Sequence, residues 1–215
     1  AEADAAGLRS GEIVDKVYGW DLRQRSVRER LYAYMDVACP RLITVEFPCA
    51  KFSKINHIAY LGPKRRQELR RLQLKERPLL EVCEVAFAKQ LARGQHAFAE
   101  NPWASMAWAE KPIRRVIDMP NVQSVKVDMC QFGLRHPRTG LPIRKATRLL
   151  VTHPAFARHL GRRCEGSRAP LHHHQMIGEA RELKRAGADT RSVARAAAPG
   201  HHRGANGQHQ LHDPA

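Results

Sequence analysis

The sequence lacks long apolar runs and is poor in aromatic side chains. No stretch approaches the roughly 18 consecutive apolar residues that a membrane-spanning helix needs, and no signal-peptide-like apolar region is found. Phe, Trp and Tyr together make up only 6% of the 215 residues. These absences predict a chain without membrane contact, and the low aromatic content predicts poorly ordered stretches.

Acidic residues are also scarce relative to basic ones. Asp and Glu total 21 against 37 Lys and Arg, which gives a formal net charge of +16. A field of this sign favours polyanions, because lysine and arginine neutralise phosphates and release condensed counterions. The charge therefore predicts nucleic acid as the partner. The alternative is that the excess of positive charge belongs to a solvated basic tail.

Paired cysteines are absent as well. The five cysteines have no short paired spacing, and they stand at Cys39, Cys49, Cys83, Cys130 and Cys164. An odd, scattered set is typical of a reducing compartment rather than of a disulfide framework. We therefore expect an intracellular protein, nuclear if it acts on eukaryotic DNA and cytoplasmic otherwise.

Four short apolar segments have the composition of strands, and helical patterns separate the first three. The strand segments are residues 41–47, 96–99, 123–129 and 146–151. Alternation of strands and helices predicts an α/β layered domain over residues 1–160. A Cys- and His-containing extension over 161–178 and a basic, largely disordered tail over 179–215 complete the expected organisation.

Smaller features predict where helices and turns begin and end. Asp21 is a suitable N-cap for a helix over residues 23–35. A long basic helix follows Gly62, and we expect Pro78 to kink or split it. Residues 136–142 are rich in turn formers and predict the tip of a hairpin.

Polar or reactive groups follow the first three strands. Pro48 ends the first strand and leaves Cys49 at its carboxyl end, Glu100 follows the second, and Cys130 follows the third. Because carboxyl ends of parallel strands share one edge of a sheet, these groups are expected to converge where open α/β sheets bind ligands.

At these positions the sequence resembles the cytosine-5 DNA methyltransferases. Pro48-Cys49-x-x-Phe52-Ser53 looks like the nucleophile motif of that family, and Glu100-Asn101-Pro102 is similar to its Glu-Asn-Val motif. The likeness covers roughly residues 7–178 and is closer still to methyltransferase-like segments of retroelement polyproteins. Those segments combine the same motifs with a Gly-Trp-Asp element, here ending at Asp21, and a Cys-x-[Phe/Tyr]-Gly stretch, here beginning at Cys130.

The resemblance implies a Rossmann-like, class I methyltransferase-like sheet, mostly parallel and flanked by helices. It implies that Cys49 is the nucleophile that adds to cytosine, with Glu100 binding the ring. The base would be flipped out of the helix to reach them.

The resemblance also implies a methyl donor and a DNA surface. S-adenosylmethionine would be the cofactor, met by Asp21, Asp15 and Pro48. The residues implied to bind nucleic acid are Ser53, Arg144, Lys145 and Arg148.

Three departures from the family pattern bear on activity. No glycine-rich turn follows a first strand, which predicts an N-terminally incomplete fold, and Ala50 and Pro102 replace the family's Gln and Val. The alternative is therefore a degenerate, non-catalytic nucleic-acid-binding segment of a retrotransposon-type polyprotein.

A metal site is a separate hypothesis, which rests on the residue types alone. Cys164 is followed by His172, His173 and His174, and Cys130 is a potential fourth ligand. Thiolates and imidazoles are the usual ligands of zinc, although this spacing matches no common zinc finger. The alternative is a histidine-rich surface segment that binds no metal.

Overall fold

Strands form at all four predicted places in the part of the chain that the computed structural model describes, Gly7 and residues 9–165. Their bounds are β1 (Leu42–Glu46), β2 (His96–Pro102), β3 (Gln123–Asp128) and β4 (Ala146–Val151). β2 is longer than expected, so Glu100 lies inside this strand rather than after it. The helices are α1 (Arg25–Ala38), α2 (Asn56–Ala59), α3 (Pro63–Ala92), α4 (Lys111–Ile117) and α5 (Pro154–Leu160).

The four strands make one mixed sheet in the order β1-β2-β4-β3. β1 and β2 are parallel, whereas β4 is antiparallel both to β2 and to β3. β1, β2 and β3 therefore run in one direction, and β4 runs against them between β2 and β3. The prediction of a mostly parallel sheet is wrong. The connection from β3 to β4, residues 129–145, includes the predicted hairpin tip, closed by a bridge between Arg135 and Pro142. It contains no α-helix of the kind that usually carries a chain back to a parallel strand, so the chain returns antiparallel beside β3.

One face of the sheet packs against α3 and α4. Small side chains on β2, Ala97 and Ala99, let the helices approach closely, and Leu150 of β4 joins the same cluster. Burial of this apolar surface is the main favourable contribution to folding. The largest helical contributors are Leu80, Phe87, Ile113 and Val116.

α3 is one helix throughout, although Pro78 lies inside it. The expected split is therefore wrong. Buried side chains hold the helix on both sides of the proline, with Leu69 and Gln73 before it and Leu80 and Cys83 after it. Tertiary packing outweighs the local cost of a proline in the helix interior.

The other face of the sheet packs against α5 and the loop between β3 and β4. Phe98, Leu149 and Val151 point to this side and contact a separate apolar cluster. The loop and helix contribute Met129, Leu134, Ile143 and Leu160. With both faces covered, ligands have access to the sheet mainly at its ends.

α1 packs outside α3, where Leu31 and Met35 meet Trp20, Val82 and Ala86. The helix begins after Gln24, so the prediction of Asp21 as its N-cap is wrong. The Asp21 carboxylate instead accepts a hydrogen bond from the backbone N–H of Arg23 at 3.3 Å.

None of the helices among the described residues is both long and apolar enough to cross a membrane. The tail over 179–215 and most of the 161–178 extension lie outside the described residues.

Candidate functional site at the carboxyl edge of the sheet

The strand ends bring the predicted segments to one edge of the sheet. Glu46 of β1 pairs with Glu100 of β2, and Asp128 of β3 pairs with Ala146 of β4. The carboxyl ends of β1, β2 and β3 and the start of β4 therefore lie together. We call this the carboxyl edge.

Cys49 is exposed at this edge. It begins a short 3-10 helix, Ala50–Phe52, in which the Phe52 N–H donates to the Cys49 carbonyl at 3.0 Å. Phe47 and Phe52 are buried on either side of it and anchor the turn. A cysteine that served only to pack would be expected inside the core. Cys83 is the contrasting case, because burial raises the pKa of its thiol far above the ordinary value.

Asn101 joins the turn before Cys49 to β2. Its side-chain amide donates to the Phe47 carbonyl at 2.7 Å, and the residue is 1% exposed. This contact holds the Pro48-Cys49 turn beside the end of β2. The motif alone does not predict this role of Asn101, since nothing in it indicates which carbonyl the amide contacts.

Glu100 is a buried carboxylate, 7% exposed, on the opposite face of β2 from Asn101. The Lys145 ammonium lies 3.8 Å from Glu100 Oε1. A buried charge is tolerated when an opposite charge compensates it. Glu100, which the resemblance implies to bind the cytosine ring, and Lys145, which it implies to bind DNA, thus form one ion pair.

Arg148 and Trp103 are the centre of a cationic and aromatic cluster at the same edge. The Arg148 guanidinium carbon lies 4.4 Å from the Trp103 ring centroid and 5.2 Å from that of Trp108. The Lys126 ammonium lies 4.7 Å from the Trp103 centroid. Lys126 and Arg148 are direct cross-strand partners.

A surface hollow of about 320 Å³ opens beside this cluster. Its lining includes Lys54 and Arg114, and no lining residue is a carboxylate. Burial, and then the charge of Arg114, lower the pKa of Arg148. Within the described chain, Arg148 Nε is buried without a hydrogen-bond partner. We call Lys54, Trp103, Arg114, Lys126 and Arg148 the cationic hollow.

Of the residues in the cationic hollow, the sequence predicts a nucleic-acid-binding role for Arg148 alone. Lys126 alternates with apolar residues on β3, so the sequence predicts that it lies on the solvated face of this strand. The sequence does not predict that Lys126 is opposite Arg148, because the register between β3 and β4 is a property of the whole sheet. Trp103 is half-buried at this edge.

Other residues implied to meet nucleic acid are engaged in local contacts. The Ser53 hydroxyl accepts from the Ile55 N–H at 3.4 Å. Arg144 lies 3.4 Å from the Asp128 carboxylate, which is fully buried, and Arg163 lies 3.6 Å from its other oxygen. Arg144 therefore balances a buried charge while its own side chain is 37% exposed.

The residues implied to meet a methyl donor serve the local fold. Asp15 accepts from the Val17 N–H at 2.9 Å and caps a 3-10 helix. The pKa of Asp21 is lowered, chiefly because its carboxylate accepts from the backbone N–H of Arg23. Pro48 lies in the turn before Cys49.

A chain of contacts links this N-terminal segment to the Cys49 turn. The Arg23 guanidinium bridges Asp21 and Glu76, with a distance of 2.8 Å to the Glu76 carboxylate. Glu76 is three residues along α3 from Gln73, whose amide donates to the Lys51 carbonyl at 3.0 Å. Asp21 thus lies on the same side of the molecule as the carboxyl edge.

Of the predicted metal ligands, Cys130 and Cys164 are described and meet one another, whereas His172 and His174 lie outside the described residues. The two thiols hydrogen-bond to each other, and burial is the main reason that the pKa of Cys130 rises to about 11. Among the described residues, no group of three or more His, Cys, Asp and Glu side chains is arranged to hold a metal.

No protein-family model, curated protein or solved structure matches this chain.

Proposed function

We propose that this chain binds nucleic acid, DNA in particular, at the carboxyl edge of a cytosine-5 methyltransferase-like fold. The cationic hollow is the observation that carries this proposal. Lys126 and Arg148 lie against the Trp103 ring, and Lys54 and Arg114 line the hollow beside it. The lining holds no carboxylate to balance these charges.

Like charges on directly opposed residues of neighbouring strands destabilise a sheet. Lys126 and Arg148 are opposed in this way, with Arg114 near enough to lower the pKa of Arg148. The Trp103 ring offsets part of this cost through cation–π contacts. A phosphate would offset the remainder, and the ring offers a surface for an unstacked base.

The order of the strands supports the proposed framework. Three strands, β1, β2 and β3, run in one direction, and β4 runs against them between β2 and β3. The nucleophile-like and Glu-Asn motifs stand at the ends of the parallel neighbours β1 and β2, as the resemblance implies. We therefore infer that the fold is Rossmann-like and of the class I methyltransferase type.

Salt dependence of DNA binding tests the proposal. Affinity measured by fluorescence anisotropy should fall steeply with salt, and Arg148→Ala should lower the log–log slope by about 0.7 to 0.9 for one lost phosphate contact. Arg41→Ala is the matched control, because Arg41 is exposed before β1 at the opposite edge of the sheet. It removes the same charge and should leave the slope nearly unchanged.

Equal slopes for Arg148→Ala and Arg41→Ala would contradict a site in the cationic hollow. Absence of binding at low salt would overturn the function itself. Substitution of Lys126 by alanine gives a second measurement on another strand, and it should resemble Arg148→Ala.

A catalytic role for Cys49 is the second candidate, favoured by its exposure at the carboxyl edge, where the buried Glu100–Lys145 pair also lies. The Cys49 thiolate would add to ring carbon 6 of a flipped cytosine, and the electron pair of the 5,6 double bond would shift to carbon 5. Glu100 would bind the ring, with Lys145 compensating its charge.

The residues present do not fit a methyl-donor pocket. The carboxylates of Asp15 and Asp21 are occupied by a helix cap and by Arg23. We therefore propose no methyl-transfer step that involves Asp15 or Asp21. When bound to a methyltransferase, S-adenosylmethionine supplies the electrophilic methyl group.

DNA containing 5-azacytosine tests Cys49 without a donor, since its ring takes a thiolate at carbon 6 and a proton at nitrogen 5. Mass spectrometry should find one adduct per chain, lost in Cys49→Ser and kept in Cys39→Ser. Cys39 is the matched control because it is exposed, like Cys49. No adduct, with salt-dependent binding intact in Cys49→Ser, would instead favour the non-catalytic retroelement segment.

A further inference from the structure

A second surface hollow, also of about 320 Å³, lies beside α3. Its lining combines an aromatic ring and two apolar side chains with two guanidinium groups and an amide, and it contains no carboxylate. Small-molecule sites begin at about 300 Å³, so each of the two hollows has room for one small group such as a nucleobase. We call the second one the tyrosine hollow, and its lining residues are Tyr60, Arg66, Leu69, Arg70, Gln73 and Met106.

Contacts around the tyrosine hollow fix its shape and leave one cation without a counter-charge. Gln73 is 7% exposed, and its amide donates to the Lys51 carbonyl at 3.0 Å. The Arg70 guanidinium donates to the Glu110 carboxylate at 2.6 Å. Arg66 is exposed and forms no ion pair within the described part of the chain. Its charge is therefore available to an anion.

The tyrosine hollow and the cationic hollow are bordered by the same two chain segments. Ser105 lines the hollow that contains Arg148, and Met106, the next residue, lines the tyrosine hollow. Consecutive Cα atoms are only about 3.8 Å apart. Lys54 and Tyr60, on either side of the short helix α2, are divided between the two hollows in the same way. The hollows therefore lie side by side.

Aromatic rings inside hollows are suited to bases rather than to the outward-facing phosphates of a duplex. A ring in this position contacts a base only after the base has left the stack. Two such hollows would require two bases to be taken out of a duplex, each at the cost of its pairing and stacking. A single strand offers its bases unpaired, and cations beside the rings hold its backbone.

We propose that the ligand of the carboxyl edge is single-stranded DNA, with neighbouring bases in the two hollows. This inference rests on the proposed function, because it takes the cationic hollow as a nucleic-acid site. One base contacts Trp103 and the Arg148 guanidinium, and the next contacts Tyr60, while Arg66 binds a phosphate. Little sequence preference is expected, since every base has a face that can stack.

Fluorescence anisotropy at low salt tests the inference on the full chain. The probe is a labelled oligothymidine of about twelve nucleotides, a length within the range of single-strand binding sites. We expect the single strand to bind at least tenfold more tightly than the duplex that it forms with oligodeoxyadenosine. Equal or tighter binding of the duplex would overturn the single-strand inference and leave the proposed function standing. Binding of neither probe would overturn both.

Two variants with matched controls test the tyrosine hollow itself. Tyr60→Leu removes the ring but keeps an apolar side chain, and it should weaken binding of the single strand at least fivefold. Tyr18→Leu is its control, because Tyr18 is 64% exposed and lines neither hollow.

Arg66→Ala should lower the log–log salt slope for the single strand by about 0.7, the value for one lost phosphate contact. Arg65→Ala removes the same charge from the neighbouring exposed position, outside the lining, and should leave the slope nearly unchanged. Because Arg66 is exposed, this variant tests the hollow without disturbing the core. Tyr60→Leu and Arg66→Ala that both match their controls would show that no nucleotide occupies the tyrosine hollow, and the inference would be wrong.

Discussion

At the scale of single residues, Asn101 is the side chain that holds two strand ends together. Its buried amide donates to the Phe47 carbonyl, and that carbonyl precedes the turn carrying Cys49. The side-chain oxygen of Asn101 is buried and has no hydrogen-bond partner among the described residues. The residue therefore anchors the turn through its amide N–H.

Asn101→Ala should lower the free energy of unfolding by about 1–3 kcal/mol, because it leaves the Phe47 carbonyl unsatisfied. Chemical denaturation measures this change. Asn56→Ala is the matched comparison, since Asn56 donates to the Ala50 carbonyl over the same 2.7 Å but at an exposed position. Its cost should be smaller, near 0.5–1 kcal/mol. Equal losses in the two variants would contradict the anchoring role.

At the scale of elements, α3 shows how packing overrides local preference. Its 30 residues run through Pro78 without a break. Proline costs about 3 kcal/mol in a helix interior relative to alanine. The buried residues on both sides must therefore stabilise the helix by more than that.

Pro78→Ala should raise the free energy of unfolding by about 1–3 kcal/mol. The restored N–H gains its helical hydrogen bond, and the greater freedom of the unfolded chain offsets part of the gain. Denaturant titration measures the shift. An unchanged or lower stability would mean that the neighbouring side chains have packed around the proline and depend on its shape.

A carboxylate clamp joins the ends of α1 and α3. The Lys89 ammonium, 2.6 Å from Asp36, and then the Arg93 guanidinium hold the pKa of Asp36 below its usual value of 3.8. Because the folded pKa is the lower one, the stabilisation exists above the unfolded pKa and is lost as pH falls through the folded pKa.

Asp36→Asn should therefore lower stability at neutral pH, and the difference from the wild type should shrink below about pH 4. Thermal denaturation across this range measures it. Asp118→Asn, at an exposed position just after α4, removes the same charge outside the clamp. If the two variants follow the same pH curve, the clamp contributes nothing specific.

At the scale of the whole molecule, apolar and strand-forming composition is enough to locate all four strands, and the predicted bounds of β4, residues 146–151, are the observed ones. Strand direction was not predictable in the same way, because one strand shows the same alternation whichever way it runs. Cys49 was placed correctly at a strand end by Pro48. The cationic hollow was not predictable as a unit, because it depends on the register between β3 and β4.

The central claim is that nucleic acid binds at the carboxyl edge, where Cys49 and the cationic hollow lie together. Alkylation of the native chain by iodoacetamide, followed by mass spectrometry with and without DNA at low salt, tests it with an internal control. Cys49 and Cys39 are both exposed, and Cys39 ends α1 just before β1, at the opposite edge. We predict that DNA slows alkylation of Cys49 at least fivefold and leaves Cys39 unchanged, whereas equal rates at Cys49 with and without bound DNA would contradict the account.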